Sequence, residues 1–307
     1  MAKRLIPNLK MAPYNTTLMG VLKGVADYYG LPTSGAWLFG ASGHAFLINI
    51  HEELCPSGPY CWNADTFRGL VRNLGILMQD LGFFSAHSGP RERAKVEEVL
   101  KRKIDAATPC SLLNMENQLI SGYDDARFIL EKPWPRVDLA ITPETLTFGT
   151  WRELGEEVHV DFHAFTRTER ADDETTIRQS LGWAVDMTRA PGRYTEKPYH
   201  AGLEAYDAWI DALRNGHGSS HGNWWNGTVW SECREMAAGY FTEIGQRQPR
   251  ISKKAGELST QYRRLADLLR KASDKELVGD GKIKILQEAK STEESGIGKI
   301  QELLDAM

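Results

Sequence analysis

Apolar residues at Leu18, Val21, Leu22, Val25 and Tyr29 recur at the i, i+3, i+4, i+7 spacing of a helix packed along one face. Asn15, Thr16 and Thr17 precede the run, and their side-chain oxygens suit the unpaired N–H groups of a first turn. Gly30 closes it. The stretches Ala36–Phe39 and Ala45–Ile50 are short apolar runs separated by small residues, and the second reads as a buried strand. From a cap at Asn63, the spacing predicts a second helix carrying Phe67, Leu70, Val71, Leu74, Leu77, Met78 and Leu81, with Gly82 as its stop. A third helix is expected from Arg91 to Ala106.

From Cys110 to about Thr166 the period changes. Gln118–Ser121, Arg127–Leu130, Leu139–Ile141 and Val158–His163 are short β-like runs, and Pro133, Pro135, Pro143 and the turn Tyr123-Asp124-Asp125 punctuate them as an antiparallel meander. Beyond Asp172 the pattern is helical, over 173–189, 199–214, 225–247, 254–273 and 282–306. The expected organisation is therefore an α+β domain over residues 1–168 followed by a mostly α-helical domain over 169–307, with the boundary near 167–172.

Composition narrows the function classes. The 307 residues are 41% hydrophobic and 25% charged with a formal charge of -4, enough apolar material for a sizeable core. That balance lacks the basic surface that nucleic acid requires. No stretch approaches the length of a membrane span and no signal-peptide core follows the first residues, so a cytoplasmic location without membrane contact is the expectation. Four cysteines make no disulfide framework. The amphipathic faces of the last two helices suit packing on the rest of the chain, and a homodimer contact would read the same way.

Candidate chemistry concentrates in two places. His44, His51, Glu52, Glu53, Cys55 and Cys61 form the densest group of ligand-capable side chains, but their spacing is neither CxxC nor HExxH, so no metal is expected. The loop from His51 to Trp62 is instead read either as a turn set by its prolines and glycine or as a cleft wall, with Tyr60 and Trp62 able to stack on a flat ligand. In the second half, His217–Asn226 reads as a polar loop in which Trp224 could close as a lid, or as a surface loop leading into a helix with Trp225 and Val229 packed inward.

Ser42-Gly43-His44-Ala45-Phe46, Asn117-Gln118-Leu119-Ile120-Ser121 and the following Gly122-Tyr123-Asp124-Asp125, placed after a first helix opening near residue 16, resemble the N-terminal family of butirosin biosynthesis protein H. That family is similar to the papain-like peptidases that process bacteriocin leaders. The resemblance covers about residues 14–165, and Gly222-Asn223-Trp224-Trp225-Asn226 onward looks like the helical tail that follows in such proteins. It implies a papain-like scaffold with a cysteine opening the first helix, a histidine on the strand leading into Gly-Tyr-Asp-Asp, and an Asp or Asn after the next strand. A helix N-terminus lowers a thiol pKa, the histidine takes the proton, and the third group fixes the imidazole.

In this chain the first position falls on Asn15, Thr16 or Thr17, the second on Glu116 or Asn117, and the third near Glu131. The nucleophile and the base are both absent. Three readings follow: Thr17 activated by Glu116 as an unusual nucleophile; Thr16 or Thr17 as a helix cap with Glu116 paired; or an inherited cleft in which Asn15, Thr16, His44, Glu116 and Asn117 contact a small molecule. Cys55, Cys61 or Cys110 could supply a displaced thiol, although Cys110 beside Pro109 also reads as inert core. The resemblance implies an acyltransferase or amide hydrolase, without a cofactor, acting on a small molecule that an acyl-carrier protein could deliver. The alternative is a catalytically silent metabolite-binding protein on the same scaffold.

Overall fold

The computed structural model describes residues 3–134, 141–155, 158–277 and 279–307. Along them run β1 (Arg4–Leu5), α1 (Thr17–Tyr28), α2 (Gly35–Ala41), β2 (Asn49–His51), α3 (Asp65–Asn73), β3 (Ile76–Ser85), α4 (Pro90–Asp105), β4 (Cys110–Leu113) and β5 (Asn117–Tyr123). They continue as β6 (Arg127–Leu130), β7 (Thr145–Thr147), β8 (His159–Arg167), α5 (Asp173–Arg189), β9 (Tyr199–Ala201), α6 (Gly202–Arg214), α7 (His221–Arg247), α8 (Ser252–Ala272) and α9 (Asp280–Ala306).

The chain forms two compact units and crosses between them three times: one holds residues 1–33 and 75–170, the other 34–74 and 171–307. The expected boundary near 167–172 coincides with one crossing. The other two arise because residues 34–74, assigned by sequence to the first half, share a core with the C-terminal helices.

The first unit is α+β. Among the described residues its strands make one antiparallel sheet in the order β3-β8-β4-β5-β6-β7, with β1 pairing the far end of β5. Helix α1 buries Met19, Val21, Leu22 and Val25, as its periodicity predicts. Its Gly24 is required by contact, since a Cβ there would lie 2.1 Å from the Lys10 carbonyl oxygen and 2.9 Å from Leu119 of β5. The Tyr123–Asp125 turn joins β5 and β6, closed by Asp124 Oδ1, which accepts from the N–H groups of Ala126 and Arg127. Of the predicted run Leu139–Ile141, residues 139 and 140 lie outside the described residues, as does Pro135, and Ile141 is not in a strand.

One helix was read too long. It ends at Asn73, and Leu77, Met78 and Leu81 belong to β3. Gly75, at φ +89, takes the left-handed conformation that ends the helix, and the chain then pairs with β8. Gly82, expected as the stop, instead sits at the irregularity in β3 between Asp80 and Gly82. An apolar run tolerates either period, and the partner strand decides.

The second unit is helical, with β2 and β9 paired as a short antiparallel ladder. Here too the expectation changes in places: Ala36–Phe39 lies in α2, and Ala45–Ile50 splits into a 3-10 turn at His44–Phe46 and the start of β2. The stripes of α8 and α9 are covered within the unit, where Leu258, Tyr262, Leu265, Leu269, Leu286 and Ile300 are all fully buried.

Its centre is ionic. The Arg234 guanidinium of α7, wholly buried, lies 2.6 Å from Glu293 of α9 and donates to the carbonyls of Ala45 and Leu47. Glu293 accepts also from the hydroxyls of Tyr206 and Tyr262. Burial, the largest single influence, opposes the charge on Arg234, but Glu293 together with the Tyr206 and Tyr262 hydroxyls outweighs it and holds the guanidinium above its ordinary pKa.

Candidate functional site

The first unit brings together the residues that the peptidase resemblance aligned. Thr16 is the N-cap of α1, in extended conformation and without a side-chain capping bond, with Asn15 in the bend before it. Thr17, the first helical residue, turns its hydroxyl toward the start of β5. It donates to Glu116 Oε2 at 2.6 Å and accepts from the Asn117 backbone N–H at 3.0 Å, with Asn117 Nδ2 at 3.4 Å. All three residues are buried, Thr17 to 0% exposure. The Glu116 carboxylate therefore lies beside the positive end of the α1 dipole, where a thiolate would gain the same stabilisation. The third expected position, Glu131, is engaged elsewhere, its carboxylate 3.2 Å from Lys10 Nζ.

A hydroxyl has one proton to donate and two lone pairs to offer. On Thr17 the proton goes to Glu116 and the lone pairs face Asn117, so no direction of attack on a substrate remains open. The cluster closes α1 onto β5. Of the sequence readings of this position, the paired structural group fits the geometry, while side-chain capping does not.

Cys110 lies in β4 of the same unit, fully buried, and burial pushes its thiol up to about 12. That is the behaviour of core sulfur, and it removes the displaced-nucleophile reading for Cys110.

His44, grouped by sequence with Thr17, belongs to the second unit. Its ring is wholly buried against Phe39, Trp62 and Phe67, with Nδ1 3.6 Å from Cys233 Sγ. Burial, with the Arg234 charge a lesser cause, lowers its pKa from 6.5 to about 3. His44 is a neutral core imidazole. Trp62, half-buried, packs against His44, Phe67 and Trp183 and donates to the Pro59 carbonyl.

The rest of that loop assembles around Tyr199 of β9. His51 lies edge-on to it at 5.1 Å, and Ser57 Oγ lies 2.8 Å both from the tyrosine hydroxyl and from Cys55 Sγ. Glu52, about half exposed, accepts from His200 at 3.0 Å, which holds its carboxyl below the usual range. Tyr60 is half-buried, its N–H bonded to the Ser57 carbonyl. Trp224 is no lid: residues 221–226 form the first turns of α7, capped by Ser220, and Lys275 sits over the indole. Among the described residues, no group of three or more His, Cys, Asp or Glu is placed to hold a metal, and no helix is long and apolar enough to cross a membrane.

Sequence reasoning missed an open groove of about 490 Å³ that runs between α3 and α5 of the second unit. Leu70, Trp183 and Tyr194 line it, though each is more than nine-tenths buried, and Asp186 gives it a carboxylate that Tyr194 hydroxyl and Arg193 hold in place. Gly69 and Gly182 keep it open, for a Cβ at either would meet no atom within 4 Å. The available signal was two glycines inside helical patterns, where alanine would be more stable by roughly 1 kcal/mol.

No protein-family model matches the chain, and no curated protein matches it.

Proposed function

We propose that this protein binds a small amide- or acyl-bearing molecule without covalent catalysis, on a papain-like scaffold related to the butirosin-type proteins. The observation that carries this reading is the closed state of Thr17: fully buried, with its proton and both lone pairs engaged. The groove between α3 and α5 supports the binding half. The edges of Trp183 and Tyr194 line it, and the Asp186 carboxylate is an acceptor for a ligand amide N–H.

N-acetyltyramine tests the binding half. Saturable binding by ligand-observed NMR is expected for the native chain, and its loss in Gly69→Leu and Gly182→Leu, which fill the groove. Binding that survives both substitutions places the ligand elsewhere and sinks the reading.

A second reading keeps acyl or amide chemistry, because a hydroxyl 2.6 Å from a carboxylate is the contact a general base needs. It requires acylation of Thr17 by an activated ester such as p-nitrophenyl acetate, seen by peptide mass spectrometry and abolished by Glu116→Gln. The non-covalent reading expects no acyl group on Thr17.

A further inference from the structure

Strand β3 ends the sheet of the first unit. Ten residues long, it pairs with β8 along one side, and among the described residues no strand pairs with the other. Which of its groups face that open side follows from β8. Phe165 donates its N–H to the Pro109 carbonyl, on the β4 side, and in an antiparallel ladder its alternates His163 and Asp161, opposite Ser111 and Leu113 of β4, turn the same way. Met78, Asp80 and Phe83 stand opposite Phe165, His163 and Asp161 in β3, so these three turn their N–H and C=O groups outward, away from β8. Ser85 closes the open stretch, its N–H and C=O both engaged by Ser88.

Of the devices that keep a sheet edge from pairing, β3 has one. It holds no proline, lysine or arginine, and its single charged side chain, Asp80, turns its carboxylate back on the Gly82 N–H at 2.7 Å. Leu77 and Phe83 are 42% and 60% exposed, two of the five exposed large apolar side chains among the described residues. The one device is the irregularity between Asp80 and Gly82. Its extra residue reverses the alternation, so that Met78 and Phe83 share one face, with Phe165 and Asp161, while Leu77 and Phe84 share the other, with Thr166 and Val160. A partner strand of unbroken alternation would match one half of β3 and carry its apolar side chains to the wrong face along the other half. A second β3 brings the same irregularity. Turned antiparallel about a two-fold axis between residues 80 and 81, it sets Met78 against Phe83 and Leu77 against Phe84, each pair twice, with both faces in phase throughout.

We infer that β3 is a dimerisation edge whose partner is the β3 of a second copy of this chain, the two sheets joining into one. Met78 of one copy and Phe83 of the other exchange N–H and C=O bonds across the axis, and the exposed Phe83 ring covers a methionine side chain. The two Asp80 carboxylates come near the axis, and their repulsion opposes the pairing.

Sedimentation of the full chain from low to high micromolar concentration tests this. A monomer–dimer equilibrium is expected, with backbone N–H exchange at Met78 and Phe83 slowing as the dimer fills. Met78→Pro removes an outward N–H, the position at which an edge strand tolerates proline, and Phe83→Lys puts a charge on the open edge. Each should keep the native circular dichroism and weaken dimerisation by at least about tenfold. Asp80→Asn, which can still accept from Gly82, should strengthen it. Met115→Lys charges a residue that is 64% exposed outside β3 and should leave it unchanged. A chain that stays monomeric at high micromolar concentration, a dimer that survives both Met78→Pro and Phe83→Lys, or one that Met115→Lys weakens as much as Phe83→Lys does, would overturn the inference.

Discussion

Thr17→Val keeps the side-chain volume and removes only the hydroxyl. Two buried groups then lose a partner: Glu116 Oε2 loses its donor and the Asn117 backbone N–H its acceptor. A buried polar group that loses its bond costs about 1–3 kcal/mol, so with two such groups the substitution should destabilise the first unit by about 2–6 kcal/mol. Thr17→Ser keeps the hydroxyl and loses one buried methyl, about 1 kcal/mol. The ordering native, then Ser, then Val is the signature of a structural bond. Urea denaturation followed by circular dichroism reads it, fitted as two transitions because the two units need not unfold together. Valine and native chains agreeing to within about 0.5 kcal/mol, the scatter of neutral surface changes, would refute the structural assignment and return Thr17 to candidate chemistry.

Other expectations follow from the second unit. Glu293→Gln leaves the Arg234 guanidinium buried without its counter-charge and should cost about 3–5 kcal/mol in urea denaturation, while the double variant Arg234→Met with Glu293→Leu should recover much of that loss. His44 has its pKa lowered from 6.5 to about 3, so below pH 6.5 the unfolded chain binds a proton that the folded chain refuses. Stability should therefore fall with pH across that window, by about 2 kcal/mol between pH 6.5 and 5 at about 1.4 kcal/mol per pH unit, and His44→Phe should remove that part of the slope. Gly69→Ala and Gly182→Ala, each meeting open space, should each raise stability by roughly 0.5–1 kcal/mol, and a loss of stability at either would show the helix packing to be misjudged.

Much of the secondary structure was legible because period is a local property. The five C-terminal helices and the hairpin at Tyr123–Asp125 follow from spacing, caps and turn residues alone. Where an apolar run was compatible with two periods, as across Leu74–Leu81, the sequence pointed to helix, and pairing with β8 made it a strand. The candidate site divided in the same way. Setting Thr17 beside Glu116 and Asn117 rested on the family resemblance and not on period or spacing, and these residues do meet. Assigning His44, Tyr60 and Trp62 to a shared cleft needed to know which core residues 34–74 join, and that is a matter of long-range packing.

What the sequence determined by itself is the order and kind of most elements, and that neither the start of the first helix nor the start of β5 carries a cysteine or a histidine. The tertiary structure alone decided that the Thr17 hydroxyl is saturated, that His44 is a neutral core ring, and that Asp186 faces a groove between α3 and α5. Each of these depends on groups more than a dozen residues apart being brought within hydrogen-bond or contact range. Burial and partner, which set the chemistry of a hydroxyl, an imidazole or a thiol, come into being only when the chain closes on itself.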